Sequence, residues 1–392
     1  MKVILIVLDS VGIGQAPDAA FYDDEGAATL QMTARAVDGL RLPQLTRLGL
    51  GNIPPLLPST PPIAGVPPIA TPEASFGAMR EISEGKDTIT GHWEIAGLEM
   101  IPGFTIFPSG PPSFAPGLIA EFEKRSGFRV IGNYAASGTQ IIQDLGVQAL
   151  EERRLIVYTS GDSVFQIAAH TDAITLDELY RACRIARELC DPLRIGRVIA
   201  RPFIGSAPNF ERTGERIDFS YETDEQTILQ ALCKADHQVF AVGKIEDIFN
   251  GKGITESDHT PDNRSSQKAV ERFCREKKDG LIFANFIDFD MLYGHRRNPK
   301  GYAEALEQTD AWLADFLPSM DSSDRLIITA DHGNDPTFKG TGHTREYVPL
   351  LVYQPGTTGE SLGIRKGFYD IAQSLAAWFS IDPMPRGKAF HP

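Results

Sequence analysis

The sequence predicts an α/β protein, a mostly parallel sheet flanked by helices with a smaller α/β unit inserted into it. Three observations point there. The runs Lys2–Leu8, 281–287 and 326–328 are apolar almost throughout rather than alternating, the pattern of strands buried on both faces. Stretches of helical period lie between such runs, as a parallel sheet requires. Loops rich in proline and glycine, 101–117 and 205–214, bracket an α/β stretch in mid-chain and mark it as an insertion.

Length and composition fit this reading. A chain of 392 residues is long for a single core and suggests two domains. Hydrophobic content of 42% and charged content of 23% belong to a soluble globular protein. The net charge of −14 argues against nucleic acid and anionic membrane as partners. No run approaches the ~20 apolar residues that span a bilayer. The first apolar run is too short for a signal-peptide core and ends in Asp9. The four cysteines lack C-x-x-C spacing, and Cys183 and Cys190 lie on one helix face as core residues, so a reducing cytoplasm is expected.

Lys2–Leu8 reads as a central strand, followed by Asp9-Ser10-Val11-Gly12-Ile13-Gly14; G-x-G-x-x-G is absent. Residues 53–72 form a proline-rich surface connection. Gly85-Lys86-Asp87-Thr88 then runs into a helix-compatible segment, which places a hydroxyl at a helix N-terminus, where amides and dipole favour an oxyanion. In the insert, 118–124 suggests a helix, and 129–131 and 155–158 suggest strands. Thr175 and Glu178 form a capping box opening a helix with an apolar stripe at Leu176, Leu179, Tyr180, Cys183, Ala186 and Cys190. A strand at 195–200 and a hinge-like loop at 205–214 close the unit. Alternation resumes with helices at 227–235, 265–277, 302–317 and 369–379 and strands at 238–242, 281–287 and Val348–Tyr353. The expected division is a core of 1–100 and 218–392 with an insert of 101–217.

Residues just past the carboxyl end of a strand line the ligand crevice of an open α/β sheet. Asp9 follows the first strand, as a ligand or as a turn cap. Asp288 and Asp290 follow the strand at 281–287 and share a face by period two; Asp290 is preferred because it lies nearer His295. Asp331 and His332 follow 326–328, with His343 and Arg345 beyond a glycine-containing loop. Three carboxylates gathered at one sheet edge repel and desolvate badly without a counter-charge. Two divalent ions supply it, and mixed Asp/His ligation suits Mn²⁺ or Zn²⁺ better than Ca²⁺ or Mg²⁺. Paired metals recur where phosphorus undergoes in-line displacement. Thr88 either marks a helix N-terminus that takes an oxyanion or phosphate, with Lys86 alongside, or merely caps its helix.

The stretches VLDSVGIGQAPDA, GKDTITGHWEIAG, YTSGDSVFQIAAH, GRVIARPFIG, NFIDFDMLYGHRR and TADHGNDPTFKGTGHTREYVPLL span both expected domains. Together they resemble the bacterial phosphopentomutase family of the alkaline phosphatase superfamily. The resemblance implies an alkaline-phosphatase-like core with an inserted cap. It implies that Asp9, Asp331, His332 and the Thr88 hydroxyl surround one Mn²⁺, and that Asp290, His295 and His343 hold another. It further implies that Thr88 is a phosphorylated nucleophile and that ribose and deoxyribose 1- and 5-phosphates interconvert through a 1,5-bisphosphate, with a bisphosphorylated sugar as activator. Ser160, Asp162, Arg197, Arg212 and Lys244 would grip the substrate on the cap side, and Arg201 could stand in for Arg197. Arginine suits a bidentate phosphate grip and lysine a point charge. His92 and Trp93 are expected to pack behind the nucleophile. A small sugar phosphate is the implied partner; no obligate protein partner is. Rival readings are a phosphatase using the same metals, an independent phosphoglycerate mutase, and a non-catalytic metal-dependent binding protein.

Overall fold

The computed structural model describes residues 1–108, 110–160, 163–223, 225–277 and 279–391. The chain divides into two compact units, Met1–Pro102 with Glu225–Pro392, and Gly103–Asp224. The strands in chain order are β1 (Lys2–Leu8) and β2 (Ala74–Met79) in the first unit. The second unit holds β3 (Val130–Ala135), β4 (Leu155–Thr159), β5 (Val164–His170), β6 (Arg197–Ser206), β7 (Asn209–Arg212) and β8 (Ile217–Ser220). The first unit resumes with β9 (Val239–Val242), β10 (Glu256–Asp258), β11 (Gly280–Phe286), β12 (Arg325–Thr329), β13 (Val348–Tyr353) and β14 (Ser361–Arg365).

In the first unit eight strands form one sheet in the order β10-β9-β11-β1-β12-β13-β2-β14. β1 lies between β11 and β12, parallel to both, with Leu8 level with Phe286 and Val7 level with Thr329. Every residue of β1 and β11 is buried, which is why both read as unbroken apolar runs. Because the three strands run parallel and in register, whatever follows each of them emerges at the same edge. That register gathers the site. β13 is antiparallel to both neighbours, β12 and β2. The chain between β12 and β13 contains no helix, and a parallel return needs a crossover connection.

The second unit carries β3-β4-β5-β6-β7, with β8 also pairing β6. Alternate side chains of β4 feed two cores. Leu155 and Val157 pack with Phe122, Phe165, Leu179 and Cys183, while Ile156 and Tyr158 pack with Ile141, Ile142, Phe203 and Phe210. The capping box of Thr175 and Glu178 is formed, and it starts the helix Leu176–Cys190.

Two expectations need correction here. The loop foreseen at 205–214 is mostly a hairpin, with Ile204 paired to Glu211 and Ser206 to Asn209. The insert also extends beyond 217, because β8 pairs antiparallel with β6, Ser220 opposite Arg197. β2 was not foreseen. Its sequence, ASFGAM, has little β propensity, and Gly77 is required because a Cβ there would lie 2.5 Å from the Gly363 carbonyl oxygen of β14. Among the described residues no helix is long and apolar enough to cross a membrane.

Candidate active site

Asp9 directly follows β1, its amide bonded to the Phe286 carbonyl of β11 at 3.1 Å. After β11 the chain does not continue as a strand. It winds into a π-helical turn, Phe289–Gly294, a deviation often associated with functional sites. The turn separates the two aspartates that period two would have put on one face. Asp288 accepts the Asn263 amide at 2.9 Å, whereas Asp290 turns toward the histidines. Beyond β12, Asp331 and His332 sit in a loop tied back by the Gly333–Thr344 bridge, which brings His343 near.

Thr88 enters from elsewhere in the chain, at the start of the helix Thr88–Ile95. The helix cap is Asp87, whose carboxylate accepts the Ile89 and Thr90 amides at 3.1 Å and the Thr90 hydroxyl at 2.6 Å. Those amides are therefore not free for an oxyanion, contrary to the expectation from sequence, and Thr90 is occupied as well. Thr88 is left with its hydroxyl 3.2 Å from His332 Nε2. The helix approaches so closely at Gly91 that a Cβ there would fall 2.2 Å from the Asp331 carbonyl oxygen. Gly91→Ala should therefore push the Thr88 helix away from Asp331 and cost about 1–3 kcal/mol of stability, the usual penalty of overpacking, which a melting curve checks.

Around His332 Nε2 stand Asp331 Oδ2 at 3.3 Å, Asp9 Oδ1 at 3.5 Å and the Thr88 hydroxyl. His332 Nδ1 faces the Gly333 carbonyl at 3.1 Å and must donate to it, leaving the Nε2 lone pair turned inward. A second group is Asp290, His295 and His343. Asp290 Oδ2 lies 3.1 Å from His295 Nε2, and its Oδ1 lies 3.4 Å from His343 Nε2. His295 Nδ1 donates to the Thr341 carbonyl at 2.6 Å, so its Nε2 also points inward. The groups adjoin: Asp9, Asp290 and His332 each offer a ligand atom within 4.8 Å of the others.

These residues fit divalent cations. Asp9 Oδ1 and Asp331 Oδ2 are buried with no hydrogen-bond partner, though buried carboxylate oxygens are normally satisfied. Both are the atoms that face His332 Nε2. Burial, then the neighbouring Asp331 and Asp290 charges, pushes the Asp9 carboxyl up to about 7, with Lys244 opposing them. Burial would also raise Asp331, but the His332 and His92 charges outweigh it and hold that carboxyl at about 2. Burial, reinforced by His343, lowers His332 to about 4. Three carboxylates and three imidazoles thus meet at a site buried at Asp9, Asp331 and His332 and open at His295, where buried carboxylate charge is costly without a cation.

Asn285 and Asn334 were not identified from sequence as supports of the site, whereas His92 was expected to pack behind the nucleophile and Arg345 was noted beyond the loop without a role. Asn285, a lone amide within the apolar run of β11, donates to Asp9 Oδ2 at 3.1 Å; a polar residue in a fully buried strand was the available signal. His92, one helical turn after Thr88, places Nδ1 2.9 Å from the Thr88 carbonyl and 3.2 Å from Asp331 Oδ2. Asn334 donates to Asp290 Oδ1 at 2.7 Å. Arg345, 1% exposed, binds Asp18 at 2.9 Å, the carboxylate of Glu81, and the carbonyls of Gly85 at 2.6 Å and Glu81 at 2.9 Å. It joins the loop of His343 to the loop that leads into Thr88. Arg345→Met should cost about 3–5 kcal/mol by leaving Glu81 buried and unpaired, measurable by urea denaturation.

The expected substrate residues are divided between the units. Lys244, foreseen on the cap side, belongs to the first unit just beyond β9, with Nζ 3.9 Å from Asp9 Oδ2. Ser160, Arg197 and Arg212 belong to the second unit, and Asp162 lies outside the described residues. Ser160 accepts from Gln166 Nε2 at 3.1 Å, and Gln166 in turn accepts from Arg201 at 3.2 Å. Arg212 reaches the Tyr158 hydroxyl at 3.4 Å, and Arg197 lies 3.7 Å from Asp218.

The model of the metalloenzyme superfamily matches residues 1–383. A phosphopentomutase of Caldanaerobacter subterraneus subsp. tengcongensis is 50% identical over 391 residues, covering 99% of this chain and 97% of its own. That of Thermotoga maritima is 49% identical over 394 residues, covering 100% and 98%. Among solved structures, the PH0037 protein of Pyrococcus horikoshii aligns with a TM-score of 0.50 at 14% identity, covering 100% of this chain and 99% of that one, a likeness of fold. With nearly the full chain matched at such identity, and with two adjoining clusters suited to divalent ions, the chain belongs to the phosphopentomutases, metal-dependent phosphotransferase isomerases of the metalloenzyme superfamily.

Proposed function

We propose that this enzyme interconverts α-D-ribose 1-phosphate and ribose 5-phosphate, and the 2-deoxyribose pair, through a phosphorylated Thr88. Asp9, Asp331, His332 and the Thr88 hydroxyl would hold one Mn²⁺, and Asp290, His295 and His343 the other. Bound there, such ions lower the pKa of a hydroxyl and neutralise charge on a phosphoryl group. The supporting observation is the Thr88 hydroxyl 3.2 Å from His332 Nε2, beside two buried carboxylate oxygens without partners.

A threonine hydroxyl is a weak nucleophile unless it is activated. Phosphothreonine 88 gives its phosphoryl group to the 1-hydroxyl of ribose 5-phosphate. The bond from phosphorus to Thr88 Oγ1 breaks, one to the sugar O1 forms, and the O1 proton passes to Oγ1. The resulting 1,5-bisphosphate turns round; the bond from its 5-phosphorus to O5 breaks, one to Thr88 Oγ1 forms, the Oγ1 proton passes to O5, and ribose 1-phosphate leaves. A bisphosphorylated sugar can therefore charge the unphosphorylated enzyme. Ser160, Asp162, Arg197, Arg212 and Lys244 would lie near the bound sugar phosphate, the arginines and the lysine supplying the charge that holds its phosphate, with Arg201 the alternative to Arg197. Arg212→Ala is expected to raise KM for the sugar phosphate more than it lowers kcat. Unchanged KM and kcat would remove it from the site. The absence of a membrane-spanning helix among the described residues and the free cysteines fit a cytoplasmic enzyme.

The test is incubation of the Mn²⁺-loaded enzyme with ribose 5-phosphate and a catalytic amount of the bisphosphate. Ribose 1-phosphate is the expected product. Free ribose with inorganic phosphate would mean a hydrolase instead.

A further inference from the structure

Ser10, directly after Asp9, has φ +73°, a left-handed backbone that L-residues other than Asn and Asp seldom adopt. Ser10 is fully buried and holds the third position of a β-turn in which the Val11 amide donates to the Leu8 carbonyl at 3.0 Å, a position that takes φ > 0 in type II turns and ordinarily carries Gly or Asn. This conformation aims the Ser10 amide at Asp331 Oδ1, 3.0 Å away. With Oδ1 so engaged, Oδ2 is the oxygen of Asp331 left without a hydrogen bond, and it is the one facing His332 Nε2.

A single side chain brackets Ser10. The Tyr302 hydroxyl donates to the Ser10 carbonyl at 3.0 Å and lies 3.1 Å from the Ser10 hydroxyl, which can donate back to it. Tyr302 is fully buried near the start of the helix Pro299–Phe316. Its ring also packs on Phe289, centroid to centroid 5.7 Å, and Phe289 immediately precedes Asp290. One residue thus touches the chain neighbours of two carboxylates and, through Ser10, orients a third. None of its atoms is needed as a ligand.

We infer that Tyr302 is a positioning residue of the metal centre, latching Ser10 in its left-handed state so that Asp331 presents Oδ2 and Asp9 and Asp290 stay in register with it. Strained backbone persists only where its surroundings over-determine it, and it gathers at functional sites. The Leu8–Val11 turn bond and the contacts of the Tyr302 hydroxyl with Ser10 together supply that over-determination. The inference rests on Asp9, Asp331 and Asp290 being metal ligands.

The experiment titrates Mn²⁺ into the metal-free full-length protein, reading free ion by electron paramagnetic resonance, for the parent, Tyr302→Phe, Ser10→Ala and Asp331→Asn. The Ser10 carbonyl keeps the Asn334 and Gly12 amides as donors at 3.1 and 2.9 Å, so the loss of one hydroxyl leaves it satisfied. Tyr302→Phe should weaken the binding of at least one ion about 10- to 100-fold, the usual effect of removing an outer-shell partner. Excess Mn²⁺ should restore kcat, and KM for the sugar phosphate should stay unchanged. Ser10→Ala, which removes the hydroxyl pair but keeps the Tyr302 hydroxyl on the Ser10 carbonyl, should give a loss in the same direction and no larger, and the double variant no more than Tyr302→Phe alone. A purely structural Tyr302 would lower the melting temperature while leaving Mn²⁺ affinity within twofold of the parent, and that result overturns the inference. If Tyr302→Phe does not fold, Ser10→Ala carries the same decision. Asp331→Asn separates the two levels. If it loses an ion while Tyr302→Phe does not, the latch alone is wrong; if it too binds normally, the ligand assignment fails along with the latch.

Discussion

Thr88→Ala should lower mutase turnover about 10⁴-fold or more, the scale on which enzymes lose rate when a covalent nucleophile is removed. The same variant should take up no phosphate from a bisphosphorylated pentose, read as intact mass before and after exposure. Its fold should be nearly that of the parent, since the helix is capped by Asp87 and not by Thr88, and the ion held by Asp290, His295 and His343 should remain while the ion beside Thr88 binds more weakly. A folded variant that still binds Mn²⁺ but carries no covalent phosphate identifies a nucleophile rather than a scaffold. Thr88→Ser, which keeps a hydroxyl at the same reach from His332, should retain part of the activity. Turnover and phosphate uptake persisting in Thr88→Ala would shift the nucleophile elsewhere, and the binding-protein reading would gain if neither parent nor variant ever carried phosphate.

Asp290→Ala carries the second large effect. Asp290 belongs to both groups of potential ligands and accepts from Asn334. Its loss should release one Mn²⁺ and weaken the other, and reduce kcat roughly 10³-fold, equivalent to several kcal/mol of charge stabilisation. Metal content by mass spectrometry and turnover should fall together. Unchanged turnover would count against the whole ligand assignment. Metal also bears on stability. The parent should melt at a lower temperature after chelation and recover with added Mn²⁺, by about 2.7 kcal/mol at a hundredfold excess over Kd. Asp290→Ala should show a much smaller response, because the cluster it leaves behind repels itself less and binds less.

The sheet edge was legible in the sequence because the physics that buries a strand and the physics that ends it are both local. β1, β11 and β12 are apolar since both their faces are covered, and an aspartate cannot continue such a run. Asp9 and Asp331 therefore announce strand ends, and parallel strands end together. Asp290 was chosen for its nearness to His295, yet the reason it works is the π-helical turn at Phe289–Gly294, which period two could not foretell. β2 escaped notice for a related reason. Its alanines and glycine have little β propensity, and it is a strand because it pairs with β13 and β14, the latter so close that only glycine fits at 77.

Composition, strand pattern and motif by themselves determined the fold class, the insertion, and the six aspartates and histidines that gather at one edge, because each follows from what a short segment can bury. Which oxygen of each carboxylate is free, which residue caps the helix of Thr88, and which side chains hold the ligands from behind were decided only by tertiary structure. Those choices depend on contacts between residues hundreds of positions apart, such as the Ser10 amide with Asp331 and the Tyr302 hydroxyl with Ser10. No local pattern encodes a hydrogen bond whose partner comes from another element.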